Sequence, residues 1–338
     1  MKLLVIDTTE GYNGSSVLIA GWAAALRRRG LDVVALITAD PAGPPARVYA
    51  AAGVPIVSGT ISLDPETVPV FVGVTAAPLI AQVGRPQRSV WLLREGAAGA
   101  VWLAARADTA AICASLAALV FHHSVQSTRL FAAMLCDTDR DRIHLVPPGT
   151  EIPTHGAAGT AEASLRIATL GPIGSSNRQG DLLVAMAGLT DVDVTAELIG
   201  RVGTLEPAAC VAAGAMTPRV RFHGELPPQS AHSVLDRCDA LCVPSPDTVA
   251  PLALLEGAAR GLTPLLVDVP AFRDRWHHGR NCLLHQPGDT AMLAWHLRIL
   301  ASDIHLRARL GAAARATAAR FPIATFHTGM DLVLASLT

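Results

Sequence analysis

One acid, Glu256, stands on an otherwise apolar helical stretch, and the loop before it is unusually rich in turn-forming residues. The segment VPSPDTVAPLALLEGAARG, residues 243–261, runs from an apolar strand end through a Pro/Ser/Asp loop into an Ala/Leu-rich helix. Ser245, Asp247 and Thr248 follow the strand end directly. Pro251 suits the first turn of the helix, where no backbone N–H has a partner to lose. A carboxylate about one turn further in has two chemistries open to it. It can accept hydrogen bonds from a pair of vicinal hydroxyls, such as those of a ribose, or it can lie exposed in a surface salt bridge.

A second constellation is TLGPIGSSNRQGDLLVAMAGL, residues 169–189. A strand ends at Gly171, a Gly/Ser/Asn loop follows, and a helix starts near Gln179. Free N–H groups, the hydroxyls of Ser175 and Ser176, and the Arg178 guanidinium converge where a diphosphate could bind. A solvated loop with a surface arginine fits the same residues. In the first half, VIDTTEGYNGSS sets Gly11 and Gly14 between a strand and a helix, and Asp40 follows the next strand. The dinucleotide fingerprint G-x-G-x-x-G is not met, because the spacing is wrong and the third glycine is missing. That loop is either a tight turn or a close backbone approach to an anion. His122 and His123 follow the apolar run ALVF, so alternation turns one of them outward and the other into the protein. His123 is a candidate for catalysis, with a purely structural role as the alternative. Arg94 and Glu95, in WLLREG, can pair with each other. There is no metal-ligand cluster, serine-nucleophile elbow or P-loop, so the chemistry rests on positioning and electrostatics.

The elements that must position these residues alternate along the whole chain, apolar runs with helical patterns, as in parallel βαβ units. Strands are expected at residues 2–6, 32–37, 54–57, 68–72, 89–93, 119–121 and 142–146. A turn-rich linker, 147–164, separates them from a second set at 166–170, 194–199, 220–222, 240–243, 264–267 and 281–285. Residues 17–30 form an amphipathic helix with a basic last turn and a closing glycine. From Thr290 onward the chain is entirely helical in pattern. The expected fold class is α/β, with two doubly wound halves facing a cleft and ligands at the carboxyl ends of the strands.

Length and composition agree with two domains. The chain has 338 residues, 51% of them hydrophobic and 16% charged, against about 25% charged in an average soluble protein. A formal net charge of −1 gives no reason to expect nucleic acid. Lys2 is the only lysine, so any anion contact far from the N-terminus must use arginine, histidine or backbone N–H. The six cysteines are scattered without C-x2-C pairing, consistent with free thiols in a reducing compartment. The opening MKLLVIDTT is too short an apolar run for a secretion signal, and residues 109–121 fall short of the roughly 20 residues of a membrane span. A cytoplasmic protein is expected.

Taken in order, these pieces resemble the retaining GT-B glycosyltransferases of group 1, or family four. The segments carrying the resemblance are LGPIGSSNRQGDLLVAMA, ELIGRVG, RFHGELP, CDALCVPS, PDTVAPLALLEGAARG and HHGRNCLLHQPGD. In the first half it rests more loosely on the Gly11/Gly14 loop, HHSVQSTRLF and RIHLVPPGTEI. The resemblance implies a domain over residues 1–150 on the acceptor side, a nucleotide-sugar-binding domain over 151–322, and a helix, 323–338, returning to the first domain. It implies transfer of a sugar from a nucleotide-diphosphate sugar to an acceptor hydroxyl, with retention, without a metal and with no cofactor beyond the donor substrate.

Residue by residue, the resemblance sets donor contacts at Gly14, Gly171, Ser175, Ser176, Arg178, Gly200, His223, Ala250, Pro251, Leu252 and Glu256. Catalytic positions fall at Asp247, Thr248, Arg178 and His123. The family's E-x7-E is broken here: Glu256 matches the ribose-binding second acid, while Thr248 stands where the first acid would contact the sugar. Pro251 replaces a glycine, Pro172 replaces a phosphate-binding arginine, and Arg178 takes a lysine's place, adding a planar fork. Two further readings follow from those departures: a non-catalytic GT-B subunit assisting an active partner, and a nucleotide-sugar epimerase. The acceptor is a glycan, a lipid-linked chain or a small molecule, and a peripheral membrane contact is compatible with the sequence.

Overall fold

The computed structural model describes residues 2–58, 65–83, 88–122, 140–154, 164–175, 177–203, 205, 209–210, 213, 219–247 and 251–337. The chain divides into two units, Met1–Gly149 with Ile323–Thr338, and Thr150–Pro322.

The first unit holds a seven-stranded sheet: β1 (Lys2–Asp7), β2 (Asp32–Ile37), β3 (Ile56–Val57), β4 (Thr67–Val72), β5 (Val90–Leu93), β6 (Ala118–Phe121) and β7 (Ile143–Leu145). Its order is β3-β2-β1-β4-β5-β6-β7, and every pairing is parallel. The second unit holds β8 (Ser164–Leu170), β9 (Asp193–Ile199), β10 (Val220–Gly224), β11 (Ala240–Val243), β12 (Thr263–Val267) and β13 (Leu283–His285). Their order is β10-β9-β8-β11-β12-β13, again all parallel. In both sheets the chain builds outward on one side, then returns to continue on the other. The topological switch points therefore lie between β1 and β4, and between β8 and β11, where doubly wound sheets open a crevice at the strand carboxyl ends.

The strands read as unbroken apolar runs because both sheet faces are covered. On β11, Ala240 and Cys242 join a core with the helices Gln179–Ala187 and Thr290–Ser302. Leu241 and Val243 face a second core with the helices Pro228–Leu235 and Leu252–Ala259. Burial of such side chains contributes roughly 25 cal/mol per Å² of apolar surface.

Local chemistry trims several expected elements. β3 starts only at Ile56, since Pro55 has no N–H for the ladder, although its carbonyl accepts from Ala35 N at 2.9 Å. β13 starts at Leu283 and not at 281: the Asn281 side chain accepts from His277 N at 2.7 Å and donates to Arg275 O at 2.8 Å, which holds a turn. The C-terminal stretch is three helices, Thr290–Ser302, Ile304–Ala318 and Ile323–Ala335, broken where Asp303 caps Leu306 N at 2.8 Å.

The last helix belongs to the first unit. Trp22 Nε1, in the helix Gly14–Arg28, donates to Asp331 Oδ1 at 3.0 Å, and Gly329 lies so close to Val146 that a Cβ there would come within 2.7 Å of it. Among the described residues no helix is long and apolar enough to cross a membrane.

Candidate functional site

The second unit's strand ends are laced together by backbone alone. Gly171 N donates to Ile199 O at 2.9 Å, Gly200 N to Gly224 O at 2.8 Å, and Ile173 N to Arg201 O at 2.9 Å. Gly171, Gly200 and Gly224 all have positive φ: 132°, 151° and 68°. A Cβ on Gly200 would lie 1.9 Å from Gly171 O, so only glycine lets these two loops touch. The result is a rim of half-buried to buried main chain at the carboxyl ends of β8, β9 and β10, with β8 bordering the switch point.

The loop after β8 is braced from within. Gln179 accepts from Gly174 N at 3.1 Å and donates to Pro172 O at 2.8 Å, and Asn177 Nδ2 donates to the same carbonyl at 2.8 Å. Arg178 is the N-cap of the helix Gln179–Ala187 and has φ 56°, the one non-glycine residue with positive φ among those described. A left-handed arginine costs on the order of 1 kcal/mol or more, and such strain gathers at functional sites. Its guanidinium grips Asp181 through Nε–Oδ2 at 2.8 Å and Nη2–Oδ1 at 3.1 Å. That pairing leaves the Nη1 side of the fork for an anion, and it was readable in the sequence only as an i, i+3 charge pair.

Across the switch point, β11 ends at Val243. Ser245 is buried, Asp247 is half-buried, and the helix Leu252–Ala259 begins with Pro251 as N-cap, one position earlier than the first-turn placement expected. That helix is apolar on nearly all sides; a Cβ on Gly257 would meet Leu241 at 2.8 Å, so the helix lies directly on β11. Glu256 is therefore not an exposed surface acid, since it is only 8% exposed. A buried carboxylate requires a partner. It has one in His232, from the helix Pro228–Leu235, with Nε2 2.9 Å from Glu256 Oε1. One turn further along the same pair of helices, Arg260 Nε donates to Asp236 Oδ1 at 2.9 Å, and Arg260 Nη1 to Glu256 O at 3.0 Å. Sequence reasoning missed His232, which lies 24 residues from its partner.

His223, at the end of β10, has Nε2 2.5 Å from Glu197 Oε2 on β9. Leu252 is buried in the first turn of its helix. Ser175 lies on the loop after β8, within the same rim. Ser176, Thr248, Ala250 and His123 lie outside the described residues.

In the first unit, Gly14 opens the helix Gly14–Arg28, whose cap is Asn13 Oδ1 accepting from Ser16 N at 2.9 Å. Below it lies a buried hub that the sequence did not reveal. Asp7, at the end of β1, accepts from Thr9 N at 3.0 Å, Ser16 Oγ at 2.7 Å, Tyr49 OH at 3.1 Å and also Thr9 Oγ1. Asn13 Nδ2 extends the network to Thr9 Oγ1 at 2.8 Å and Gly11 O at 3.2 Å, which fixes the loop before the helix. Burial, together with the neighbouring Asp7 carboxylate, pushes the Tyr49 phenol well above its usual pKa.

His122 is buried, its Nδ1 3.0 Å from Val146 O and its ring edge-on to Phe326 at 5.4 Å. Burial lowers its pKa to about 4, so it is a neutral structural residue. Arg94 and Glu95 do pair, with Nε 3.3 Å from Oε1. Among the described residues no group of three His, Cys, Asp or Glu side chains could hold a metal ion.

Two parallel α/β sheets, each with its switch point and with a glycine rim in the second, define the GT-B fold. Comparison with known proteins agrees. Residues 165–303 match the family model described as Glycosyl transferases group 1. Anabaena HepE, solved in complex with UDP-glucose, is similar over 99% of this chain and 100% of its own, at 16% identity and a TM-score of 0.79. Sucrose-phosphate synthase from Thermosynechococcus elongatus is similar over 100% and 99%, at 15% identity and 0.71. The lipopolysaccharide outer core galactosyltransferase WaaB, in its apo form, is similar over 99% of each chain, at 14% identity and 0.66. No curated protein sequence matches the chain.

Proposed function

We propose that the protein is a glycosyltransferase that moves a sugar from a nucleotide-diphosphate sugar to an acceptor hydroxyl, with retention at the anomeric carbon and without a metal ion. The observation that carries this reading is the pairing, around one switch point, of a glycine-backed rim (Gly171, Gly200, Gly224) with the buried carboxylate of Glu256. Both belong to the segment matching the group 1 domain, and the complex of HepE with UDP-glucose supports a nucleotide-sugar donor.

In this reading, the diphosphate lies against the 171–177 loop. As the bond to the sugar breaks, the leaving diphosphate gains charge, which backbone N–H groups and the free side of the Arg178 fork stabilise. Ser175 and Ser176 add hydroxyls, and Gly200, His223, Ala250, Pro251 and Leu252 line the donor. Glu256 accepts from the ribose hydroxyls. Asp247 or Thr248 contacts the transferred sugar in place of the family's first acid. No cofactor beyond the donor is required, and a peripheral membrane contact would suit a lipid-linked acceptor.

A thermal-shift screen with UDP, GDP, ADP and TDP tests the donor reading. A nucleotide at one hundred times its Kd adds about 2.7 kcal/mol of apparent stability. A chain that none of the four stabilises contradicts it.

One second reading is favoured by the helix start: Pro251 offers no N–H there, and Thr248 replaces an acid in the family's motif. These suit a GT-B subunit that binds nucleotide and assists an active partner. Donor hydrolysis by the isolated protein, raised further by Thr248→Glu, supports transfer. Nucleotide binding without any turnover supports the subunit.

A further inference from the structure

We propose that His232 is the positioning residue that sets the Glu256 carboxylate for ribose; this rests on the donor reading above. A carboxylate oxygen only accepts, so the 2.9 Å contact has His232 Nε2–H donating to Oε1. Among the described residues no other side chain hydrogen-bonds this carboxyl. Oε1 is thereby held from one side, and Oε2 is left to accept from a hydroxyl. A glutamate side chain otherwise loses substantial rotamer freedom when it must hold a single orientation.

The neighbouring contacts separate this role from simple fastening of two helices. Along the helices Pro228–Leu235 and Leu252–Ala259, residues 232 and 256 form one rung, and 236 and 260 form the next, a turn away on both sides. The Asp236–Arg260 rung already joins the helices, and Arg260 ends on the main-chain oxygen of Glu256, not on its carboxyl. The His232 rung adds orientation of the acid itself. Preorganised partners of this kind govern how well a binding group performs.

The test measures Kd by calorimetry for UDP, GDP and ADP and for their 2′-deoxy and 3′-deoxy forms. The proteins compared are the unaltered chain, His232→Ala, His232→Gln and Asp236→Ala. For the nucleotide that the unaltered chain binds, His232→Ala should weaken the ribonucleotide about five- to tenfold. It should leave the affinity for at least one deoxy form nearly unchanged, so that ribose preference collapses. His232→Gln, whose amide N–H can reach the same oxygen, should restore the preference. Asp236→Ala should lower thermal stability yet keep it. Equal losses for ribo and both deoxy forms in His232→Ala, or the same collapse in Asp236→Ala, would mean the rung is only a fastener and would overturn the proposal. An unaltered chain that binds none of the three ribonucleotides overturns this proposal, and one that does not bind TDP either overturns the donor reading with it.

Discussion

Gly200→Ala should damage the second unit more than its single added methyl suggests, and the damage can be divided into two physical parts. The new Cβ would lie 1.9 Å from Gly171 O, 2.6 Å from Gly171 C and 3.3 Å from Pro172 N. Those atoms are main chain, tied to β9 by Gly171 N→Ile199 O at 2.9 Å, so they cannot rotate aside. Relief requires the two strand ends to separate, and overpacking of this kind costs about 1–3 kcal/mol or more. The φ of 151° adds about 1–3 kcal/mol for a residue with a side chain. Together the loss should be about 3–5 kcal/mol, a large part of the roughly 5–15 kcal/mol that holds a domain folded. Two companions separate the parts. Gly224→Ala, at φ 68° with no atom within 4 Å, should cost only about 1–2 kcal/mol from backbone conformation. Gly188→Ala, at φ −81° and 4.0 Å from its nearest neighbour, should be neutral or stabilise by up to about 1 kcal/mol. Urea unfolding of the three variants gives the ranking directly. If Gly200→Ala costs no more than Gly224→Ala, the close contact of the two loops is not rigid and the rim argument fails.

Arg178→Ala should weaken a nucleoside diphosphate about ten- to a hundredfold more than the matching nucleoside, as a charge-assisted contact to phosphate requires; equal losses for both ligands would refute a phosphate contact. Glu256→Gln should reduce affinity for nucleotide with or without an attached sugar by about 1–2 kcal/mol, and binding that does not change would remove Glu256 from the site. His122 has its folded pKa lowered to about 4 by burial. Both states are neutral above pH 6.5, so its penalty is absent there; as the pH falls from 6.5 toward 4 only the unfolded chain gains the proton, and stability should drop by on the order of 3 kcal/mol. His122→Asn, which keeps a donor for Val146 O, should flatten that part of the stability–pH curve, and an unchanged slope would contradict the assignment. Tyr49→Phe leaves Asp7 short of one of its buried donors and should cost about 1–3 kcal/mol in unfolding measurements; a neutral result would mean the hub does not depend on it.

The sequence by itself determined the elements and much of their ends. Residues 32–37 and 240–243 could be read as strands because a continuous apolar run flanked by turn residues has one cheap solution, burial on both faces of a sheet. The Gly/Ser loop ending at Gln179 and the acid-bearing helix at 252–259 were legible for the same reason: caps, prolines and periodicity act over a few residues. What those residues do to one another was not legible. That Gly171 and Gly200 touch depends on β8 and β9 lying side by side, and a crossover separates them in the chain. Whether Glu256 was a solvated surface acid or a buried one was decided by β11 beneath its helix and by His232 on a neighbouring helix. Arg178 could be recognised as a cation at a helix start, but its left-handed backbone and its grip on Asp181 are set by the folded loop around it. The physical reason is one of range. Burial preference and backbone propensity are written locally, residue by residue, whereas the environment of a charge is fixed by whichever distant segments the sheet order brings against it.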